Sequence, residues 1–274
     1  MTTIFIVQLI ITFVVGGSLI AFLSFLAERT SEKIAGIIIS LPSTSLITYI
    51  FMGWTLSPET VANVVPATII TIVAAQSFVM VFVYVSKIRL ANFSSLLLSL
   101  VSGLIVWAVI AIPIAIGRFS SLPLSLIGYT CIVTISYYFL TYQNKVAGKG
   151  QQIRYTATQK IGRGIFAGCV ITTAVFLSKT VNPFWGGVLS SFPATYFSSL
   201  VILRRYHHSD MLFKVAKSIP FGSLIYMLFI LAVRWTYPAY GIIGGSIIAY
   251  LISLLPIALK LAIQSRISKH FFVS

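Results

Sequence analysis

The chain has 274 residues, of which 58% are hydrophobic and only 8% are charged. A soluble globular protein carries about 25% charged residues, so this composition excludes a water-exposed enzyme and predicts a chain whose main solvent is lipid. Nineteen Lys and Arg against four Asp and Glu give a net charge of +15. In a membrane protein this excess indicates orientation rather than nucleic-acid binding, because Lys and Arg concentrate on the cytoplasmic side.

A helix that crosses the hydrocarbon core needs about 20 mostly apolar residues. The chain has nine such runs, which are Thr3–Ala27, Ile34–Leu56, Val61–Ser86, Leu90–Gly117, Ser121–Tyr142, Ile161–Ser178, Phe184–Leu203, Met211–Val233 and Tyr237–Leu259. The sequence therefore predicts an all-α, polytopic integral membrane protein with nine transmembrane helices. Cys131 and Cys169 lie in apolar runs, and we expect them to be buried thiols without a disulfide.

The polar stretch 143–160 is the one long linker, and its basic residues predict that it is cytoplasmic. This choice places 16 of the 19 Lys and Arg on the cytoplasmic side and leaves Arg118, Lys179 and Arg234 outside. The asymmetry predicts an external N-terminus and a cytoplasmic C-terminus.

The sequence also contains an internal repeat. Residues 17–44 align with residues 168–195 at a constant offset of 151, and eight of the 28 positions are identical. The shared pattern G-x3-S-x-P-x-T ends both segments. Spans one to four then correspond to spans six to nine, in a 4+1+4 arrangement with segments 1–118, 119–142, 143–160 and 161–274. Five crossings separate equivalent spans, so the second half is inverted, an architecture found in many secondary transporters.

Pro42 and Pro193 lie at equal depth in spans two and seven, about 13 Å from opposite surfaces at 1.5 Å per residue. A proline inside a helix frees a backbone carbonyl, which is costly in lipid unless something satisfies it. We therefore predict a solute site where the two broken helices meet. The alternative is a pair of structural kinks whose Ser and Thr bond to their own backbone. The candidate substrate-binding residues are Gly36, Ser40, Pro42, Ser43, Thr44, Gly187, Ser190, Ser191, Pro193 and Thr195.

Four further residues are accessory candidates, namely Pro66, Gln76, Lys217 and Pro220. The amide of Gln76 is either a ligand contact or a hydrogen bond between helices. Lys217 either attracts an anion or extends to the cytoplasmic headgroups.

The four acidic residues, Glu28, Glu32, Glu59 and Asp210, all lie at span ends. A proton- or sodium-coupled cation carrier usually needs a carboxylate in mid-membrane, so this mechanism is disfavoured. The chain lacks H-E-x-x-H, G-x-S-x-G and P-loop motifs. We therefore expect no catalytic residues, no metal site and no cofactor, and the protein is not predicted to be an enzyme.

The stretch from Lys33 to Ile47 resembles the GlpM-like small inner-membrane proteins, whose four-span unit has an A-G-L-x-x-x-x-P-x segment at the start of span two. Ala35, Gly36 and Pro42 match this segment, and Gly187 and Pro193 match it again. The chain would then be a tandem, inverted duplication of the unit. The resemblance implies a plasma (inner) membrane location, but no substrate.

Together these features favour a secondary transporter or channel for a small polar solute, anionic or neutral, that works without ATP. The expected partners are membrane lipid and this small-molecule solute, with no nucleic acid, and the sequence is compatible with a homodimer. The alternatives are a lipid-binding or lipid-translocating protein and a non-transporting membrane scaffold or accessory subunit.

Overall fold

A computed structural model describes residues 2–30, 41–88, 92–143, 155–206 and 209–259, and within these ranges every regular element is helical. We number the α-helices in chain order. They are α1 (Thr3–Glu28), α2 (Ser43–Thr55), α3 (Pro58–Val85), α4 (Asn92–Ile116), α5 (Leu122–Tyr137, continued by a π-helical turn, Tyr138–Tyr142), α6 (Ala157–Thr180), α7 (Pro183–Ser190), α8 (Ala194–Tyr206), α9 (Ser209–Ala216) and α10 (Ile219–Ser253).

The helices are those of a multi-pass membrane protein. In the described ranges six are long and apolar enough to cross a bilayer, and α7 with α8 forms a seventh candidate span. Large apolar side chains face outward along these helices, for example Val14 on α1, Val109 on α4 and Ile127 on α5. Exposure of so much apolar surface to water would be unfavourable. The prediction of an all-α membrane protein is therefore confirmed, without the count of nine spans.

Local capping determines where several helices begin. The hydroxyl of Thr156 accepts a hydrogen bond from the backbone N–H of Gln159, and the Gln159 side chain accepts one from the Thr156 N–H. This capping box satisfies two donors at the start of α6. It starts the helix at Ala157, so the last residues of the predicted linker are helical. Ser57 and Asn182 cap α3 and α7 in a similar way, each followed by a proline.

Helix α10 is two antiparallel arms joined at Gly241. Gly241 has φ +69° and ψ −173°, a conformation that glycine adopts without strain. In a straight helix Phe229 and Tyr250 would be about 31 Å apart, yet their ring centroids are separated by 6.2 Å. The Thr236 hydroxyl also donates to the carbonyl of Gly245 at 3.0 Å. Residues 219–240 therefore pack against residues 242–253.

This reversal corrects the predicted bounds of the last two spans. The prediction ended span eight at Val233 and placed Arg234 in an external loop, but the first arm continues past it to residue 240. Arg234 donates instead to the carbonyl of Ala62 at 3.4 Å. That carbonyl is the one that Pro66, four residues later, leaves without its usual helical donor. Residues 209–216, assigned in part to the same span, form the separate helix α9.

Helices α1 and α6 cross closely and run antiparallel. The ring of Phe5 stacks on Phe176 at 6.4 Å, so the start of α1 lies beside the end of α6. At the crossing, a Cβ added to Gly17 would lie 3.0 Å from the carbonyl oxygen of Gly164, and one added to Gly164 would lie 2.6 Å from that of Gly17. Small residues permit such close backbone contact between membrane helices.

Helix α3 lies at the centre of the bundle, between α4, α5, α7 and α10. Its Phe78 and Phe82 pack in an apolar cluster with Leu200 of α8. Its Val61 and Val65 pack in a second cluster, with α10. The central helix therefore contributes to both halves of the core.

The two cysteines are free, as predicted, but they are not buried. Cys131 on α5 and Cys169 on α6 are both exposed on the helix surface. Hydropathy identifies an apolar helix but does not distinguish its lipid-facing side from its protein-facing side, because lipid and core have the same preference for apolar residues.

We expect Gly164→Ala to separate α1 from α6, because the new Cβ would meet backbone. Overpacking of this kind costs about 1–3 kcal/mol, and thermal unfolding in detergent would show it as a lower midpoint. The matched control is Gly162→Ala on the same helix, where nothing lies within 4 Å of the new Cβ. The control should be neutral or stabilising by up to about 1 kcal/mol. Equal effects of the two substitutions would contradict the close crossing.

Candidate functional site

The two predicted proline breaks adopt the same local conformation. Pro42 has φ −76° and ψ 47°, and the backbone N–H of Ser43 donates to the carbonyl of Leu41 at 2.8 Å. This is the geometry of an inverse γ-turn. Across Pro193, the N–H of Ala194 donates to the carbonyl of Phe192 at 2.7 Å.

The helix that follows each proline starts in the same register. The carbonyl of Pro42 accepts from the N–H of Leu46 at 2.8 Å, and that of Pro193 accepts from Phe197 at 2.7 Å. Helices α7 and α8 are bent by 40° at the second break. Residues 31–40, and with them Gly36 and Ser40, lie outside the described residues. At the first break the structure therefore describes only the side that leads into α2.

Both breaks line one cavity of about 110 Å³. A single water needs roughly 10–15 Å³ of such volume, so the cavity has room for several waters or one small solute. Its wall is formed by the two breaks, by α3 and by the first arm of α10. Eight of the predicted site residues line it, namely Pro42, Ser43, Thr44, Gln76, Ser190, Ser191, Pro193 and Thr195.

The other described candidates lie away from the cavity wall. A Cβ on Gly187 would meet the Thr68 hydroxyl at 2.8 Å, so Gly187 lets α7 approach α3. The carbonyl of Pro66 accepts from the Ser125 hydroxyl at 2.8 Å. The carbonyl of Pro220 accepts from the Ser223 hydroxyl at the same distance. Lys217 caps α9 through its backbone N–H, which donates to Phe213 at 3.0 Å.

The cavity hydroxyls fall into two groups. Ser43, Ser190 and Ser191 lie within hydrogen-bonding distance of carbonyls of their own segments, as the structural alternative predicts. Ser191 also lies 2.8 Å from the Thr71 hydroxyl of α3. Thr44 and Thr195 differ, because in the described part of the chain neither hydroxyl makes a hydrogen bond. These two threonines are 151 positions apart in the sequence and lie at the start of α2 and of α8.

The break at Pro193 leaves the carbonyl of Ser190 without its helical donor, because the N–H of Ala194 is turned to Phe192. The Ser45 hydroxyl donates to this carbonyl at 2.7 Å. The Tyr226 hydroxyl of α10 lies 3.2 Å from the same carbonyl and 2.8 Å from Ser45. Helix α2 and the first arm of α10 thus satisfy the acceptor that the second break exposes.

Gln76 of α3 is 2% exposed and carries an unmatched polar atom. Its Oε1 is bonded to the hydroxyl of Ser136 on α5, while its Nε2 has no hydrogen-bond partner in the described structure. Buried polar atoms without a partner are uncommon and need an explanation. Gln76 therefore joins two helices and leaves its amide nitrogen without a partner in the cavity wall, and its role as a ligand contact stays a prediction.

No charged side chain is among the residues that line the cavity in the described part of the chain. The first turns of α2 and α8 line it instead. At α8 the backbone N–H groups of Thr195 and Tyr196 have no acceptor in the described structure. Helix N-termini carry a partial positive charge and free N–H donors. The wall thus favours a ligand with hydrogen-bond acceptors.

The sequence analysis missed Tyr196 and Tyr226 as cavity residues. Tyr226 belongs to a face of α10 whose other members also line the cavity, namely Ile219, Gly222 and Ser223. The spacing i, i+3, i+4, i+7 marks one side of a helix and is visible in the sequence. It does not, however, distinguish a cavity wall from ordinary packing.

No protein-family model, curated protein or solved structure matches the chain. The resemblance to the GlpM-like proteins stays a prediction, and the site is interpreted from its geometry alone.

We expect Ser45→Ala and Tyr226→Phe to act on the same acceptor. Each single substitution should lower the free energy of unfolding by about 0.5–1.5 kcal/mol. The double variant should lose more unfolding free energy than the two single variants together. Only in the double variant does the carbonyl of Ser190 lack both hydrogen-bond donors. Thermal or denaturant unfolding in detergent measures all three.

The matched control for this cycle is Tyr250→Phe on the second arm of α10, whose hydroxyl makes no hydrogen bond in the described structure; it should be near neutral. Strict additivity of the two cavity substitutions would show that the carbonyl of Ser190 is not their shared acceptor.

Proposed function

We propose that this protein is a secondary transporter or channel for a small polar solute, anionic or neutral, which binds between the two proline breaks. The observation that carries the proposal is that Pro42 and Pro193, 151 positions apart, line the same cavity. Irregular backbone at membrane depth is tolerated where it lines a cavity. Transporter sites characteristically lie between broken helices at such a place. The proposal includes no catalytic step and no cofactor.

The packing of α1 on α6 supports an inverted repeat. The carbonyl oxygen of Phe13 lies 3.0 Å from a Cβ built on Gly168, and that of Gly164 lies 3.0 Å from a Cβ built on Gly17. Adding the offset of 151 to Phe13 and Gly17 gives Gly164 and Gly168. The offset therefore converts each contact into the other. A two-fold axis through an antiparallel helix pair requires this relation.

Nine crossings are consistent with the helices. In this proposal α1, the segment ending in α2, α3, α4, α5, α6 and the bent pair α7–α8 account for seven crossings. The two arms of α10 account for the eighth and ninth. An odd number of crossings agrees with the proposed external N-terminus and cytoplasmic C-terminus in the plasma (inner) membrane.

The chemistry of the cavity supports a ligand rich in acceptors. Gln76 offers an amide donor, α8 offers free backbone N–H groups, and Thr44 and Thr195 offer hydroxyls. A cation would find no carboxylate in this wall. The hydroxyls also serve a neutral polar solute, since each can donate or accept.

Loss of the two threonine hydroxyls is expected to weaken transport without unfolding the protein. A screen of small anions and neutral polar solutes for thermal stabilisation would first select the solute. Thr44→Val and Thr195→Val keep the side-chain shape, and each should lower the affinity by about tenfold, equal to ~1.4 kcal/mol. Flux into liposomes, measured against solute concentration, tests this.

The matched control is Thr180→Val, because Thr180 is exposed and bonds to its own helix. It should leave the flux unchanged. If no solute moves and lipid headgroups alone stabilise the protein, the lipid-handling alternative replaces the proposal. If neither solute nor lipid acts and a partner protein co-purifies, the scaffold alternative does.

The inverted topology predicts that the ends of α1 and α6 face opposite sides of the membrane. In a background with Cys131→Ala and Cys169→Ala, a thiol at Lys179→Cys should react with an impermeant reagent only from outside. A thiol at Arg29→Cys should react only from the cytoplasmic side. Labelling of both from one side would exclude the inverted repeat.

A further inference from the structure

Arg163 is a cation buried inside the protein rather than at its surface. It lies in the first two turns of α6 and is only 6% exposed. Its guanidinium carbon stacks 4.4 Å from the ring centroid of Tyr155. Its Nε has no hydrogen-bond partner, and no carboxylate pairs with it among the side chains that the structure describes. A buried charge without a counter-charge is strongly destabilising.

The position of Arg163 along its helix adds to this cost. The N-terminus of α6 is the positive end of the helix dipole, which favours acidic side chains and disfavours basic ones. The first turn of α6 has no acidic residue. Instead Lys160 and Arg163, both more than nine-tenths buried, lie in the first two turns. The buried charge of Arg163 thus lies near the end of α6 at which an anion would be stabilised.

A second guanidinium, partly buried, lies near this end of α6. Phe166 of α6 stacks on Phe197 of α8 at 4.7 Å, and its ring lies 6.1 Å from that of Phe192 just before α8. Arg204 follows in the last turn of α8. Its Nε is also buried without a hydrogen-bond partner.

Acidic residues are far fewer than basic residues on this side. On the proposed cytoplasmic side the chain has 16 Lys and Arg but only Glu28, Glu32 and Asp210 as acids. Most of the basic groups there must therefore take their counter-charge from outside the chain.

Hydroxyl groups connect Arg163 to the cavity. The Tyr155 hydroxyl donates to the hydroxyl of Ser199 at 3.2 Å. The Ser199 hydroxyl lies 2.8 Å from the carbonyl of Thr195, which lines the cavity. The opposite face of α6 carries Ile161 and Ile165, each 53% exposed and suited to acyl chains. Arg163 thus faces the protein interior, one helical turn of α8 beyond the cavity.

We propose that Arg163 is the centre of an anion-binding site at this end of the bundle, with Arg204 as a second cation. The ligand class is an oxyanion, a phosphate or carboxylate group, since the planar guanidinium binds such groups through two parallel hydrogen bonds. The group is supplied by a soluble anion or by an anionic lipid headgroup. Binding here does not require that the protein transports anything.

The test measures thermal unfolding of the full chain in an uncharged detergent against inorganic phosphate, with sodium chloride at matched ionic strength as the salt control. Phosphate should raise the unfolding midpoint of the wild-type protein in a saturable way. Arg163→Gln should weaken the apparent affinity at least tenfold. Arg163→Lys, which keeps the charge but not the planar fork, should give an intermediate value.

The matched control is Arg29→Gln, which removes one exposed basic group and should bind phosphate as the wild type does. A second arm replaces phosphate with nanodiscs of phosphatidylglycerol, compared with phosphatidylcholine. Stabilisation by phosphatidylglycerol alone, lost in Arg163→Gln, supports the site and assigns its source to a headgroup. Equal affinity in wild type and Arg163→Gln, or no stabilisation by either probe, overturns the inference. These readouts are independent of the Thr44 and Thr195 flux, so the two proposals fail separately.

Discussion

The structure depends on how it satisfies the backbone groups at its two proline turns. An unsatisfied N–H or C=O in lipid costs several kcal/mol, and the break at Pro193 exposes the carbonyl of Ser190. The inverse γ-turn at each break uses one N–H to bond a carbonyl two residues earlier. At the second break the carbonyl of Ser190 is then satisfied from outside its own helix by Ser45 and Tyr226. The second break therefore depends on the residues that follow the first break, and this contact brings the two breaks to one cavity.

The central helix α3 holds the second break and the cavity wall in place. The hydroxyl of Thr71 lies 2.8 Å from that of Ser191, and the Cα of Gly187 approaches Val64 and Thr68 closely enough to exclude a side chain. One turn further along, Gln76 contributes its amide to the cavity wall. A single continuous helix thus positions both the bend and the polar group that faces it, while the bend itself is local to α7 and α8.

The features that sequence analysis predicted are local ones. The repeat of Gly, Ser, Pro and Thr identified both breaks, because a proline disrupts its own helix wherever that helix packs. Apolar runs identified most helices for a similar reason, because the hydropathy of a helix depends on its own residues and not on its neighbours. The reversal at Gly241 was placed too early, since residues 234–240 are as compatible with a helix end as with a helix. Tyr226 and the partner of Gln76 depend on which helices become neighbours, and nothing in the pattern of a single span contains that information. The exposed faces of Cys131 and Cys169 were missed because lipid and protein core favour the same residues.

The contacts of the two halves differ in a way that suits alternating access in the proposed transporter. The crossing of α1 and α6 brings backbone close to backbone at Gly17 and Gly164, where added Cβ atoms would lie 3.0 and 2.6 Å from the opposite carbonyl oxygens. In the proposed inverted repeat this crossing is the natural pivot, because Gly17 and Gly168 would be equivalent positions near its two-fold axis. The contact between α2 and the second break is instead made by the Ser45 hydroxyl with Ser190 and Tyr226. Hydrogen bonds of this kind contribute about 0.5–1.5 kcal/mol each. A ligand that binds one arrangement better by only a few kcal/mol is enough to exchange such contacts, while the glycine crossing keeps the halves together.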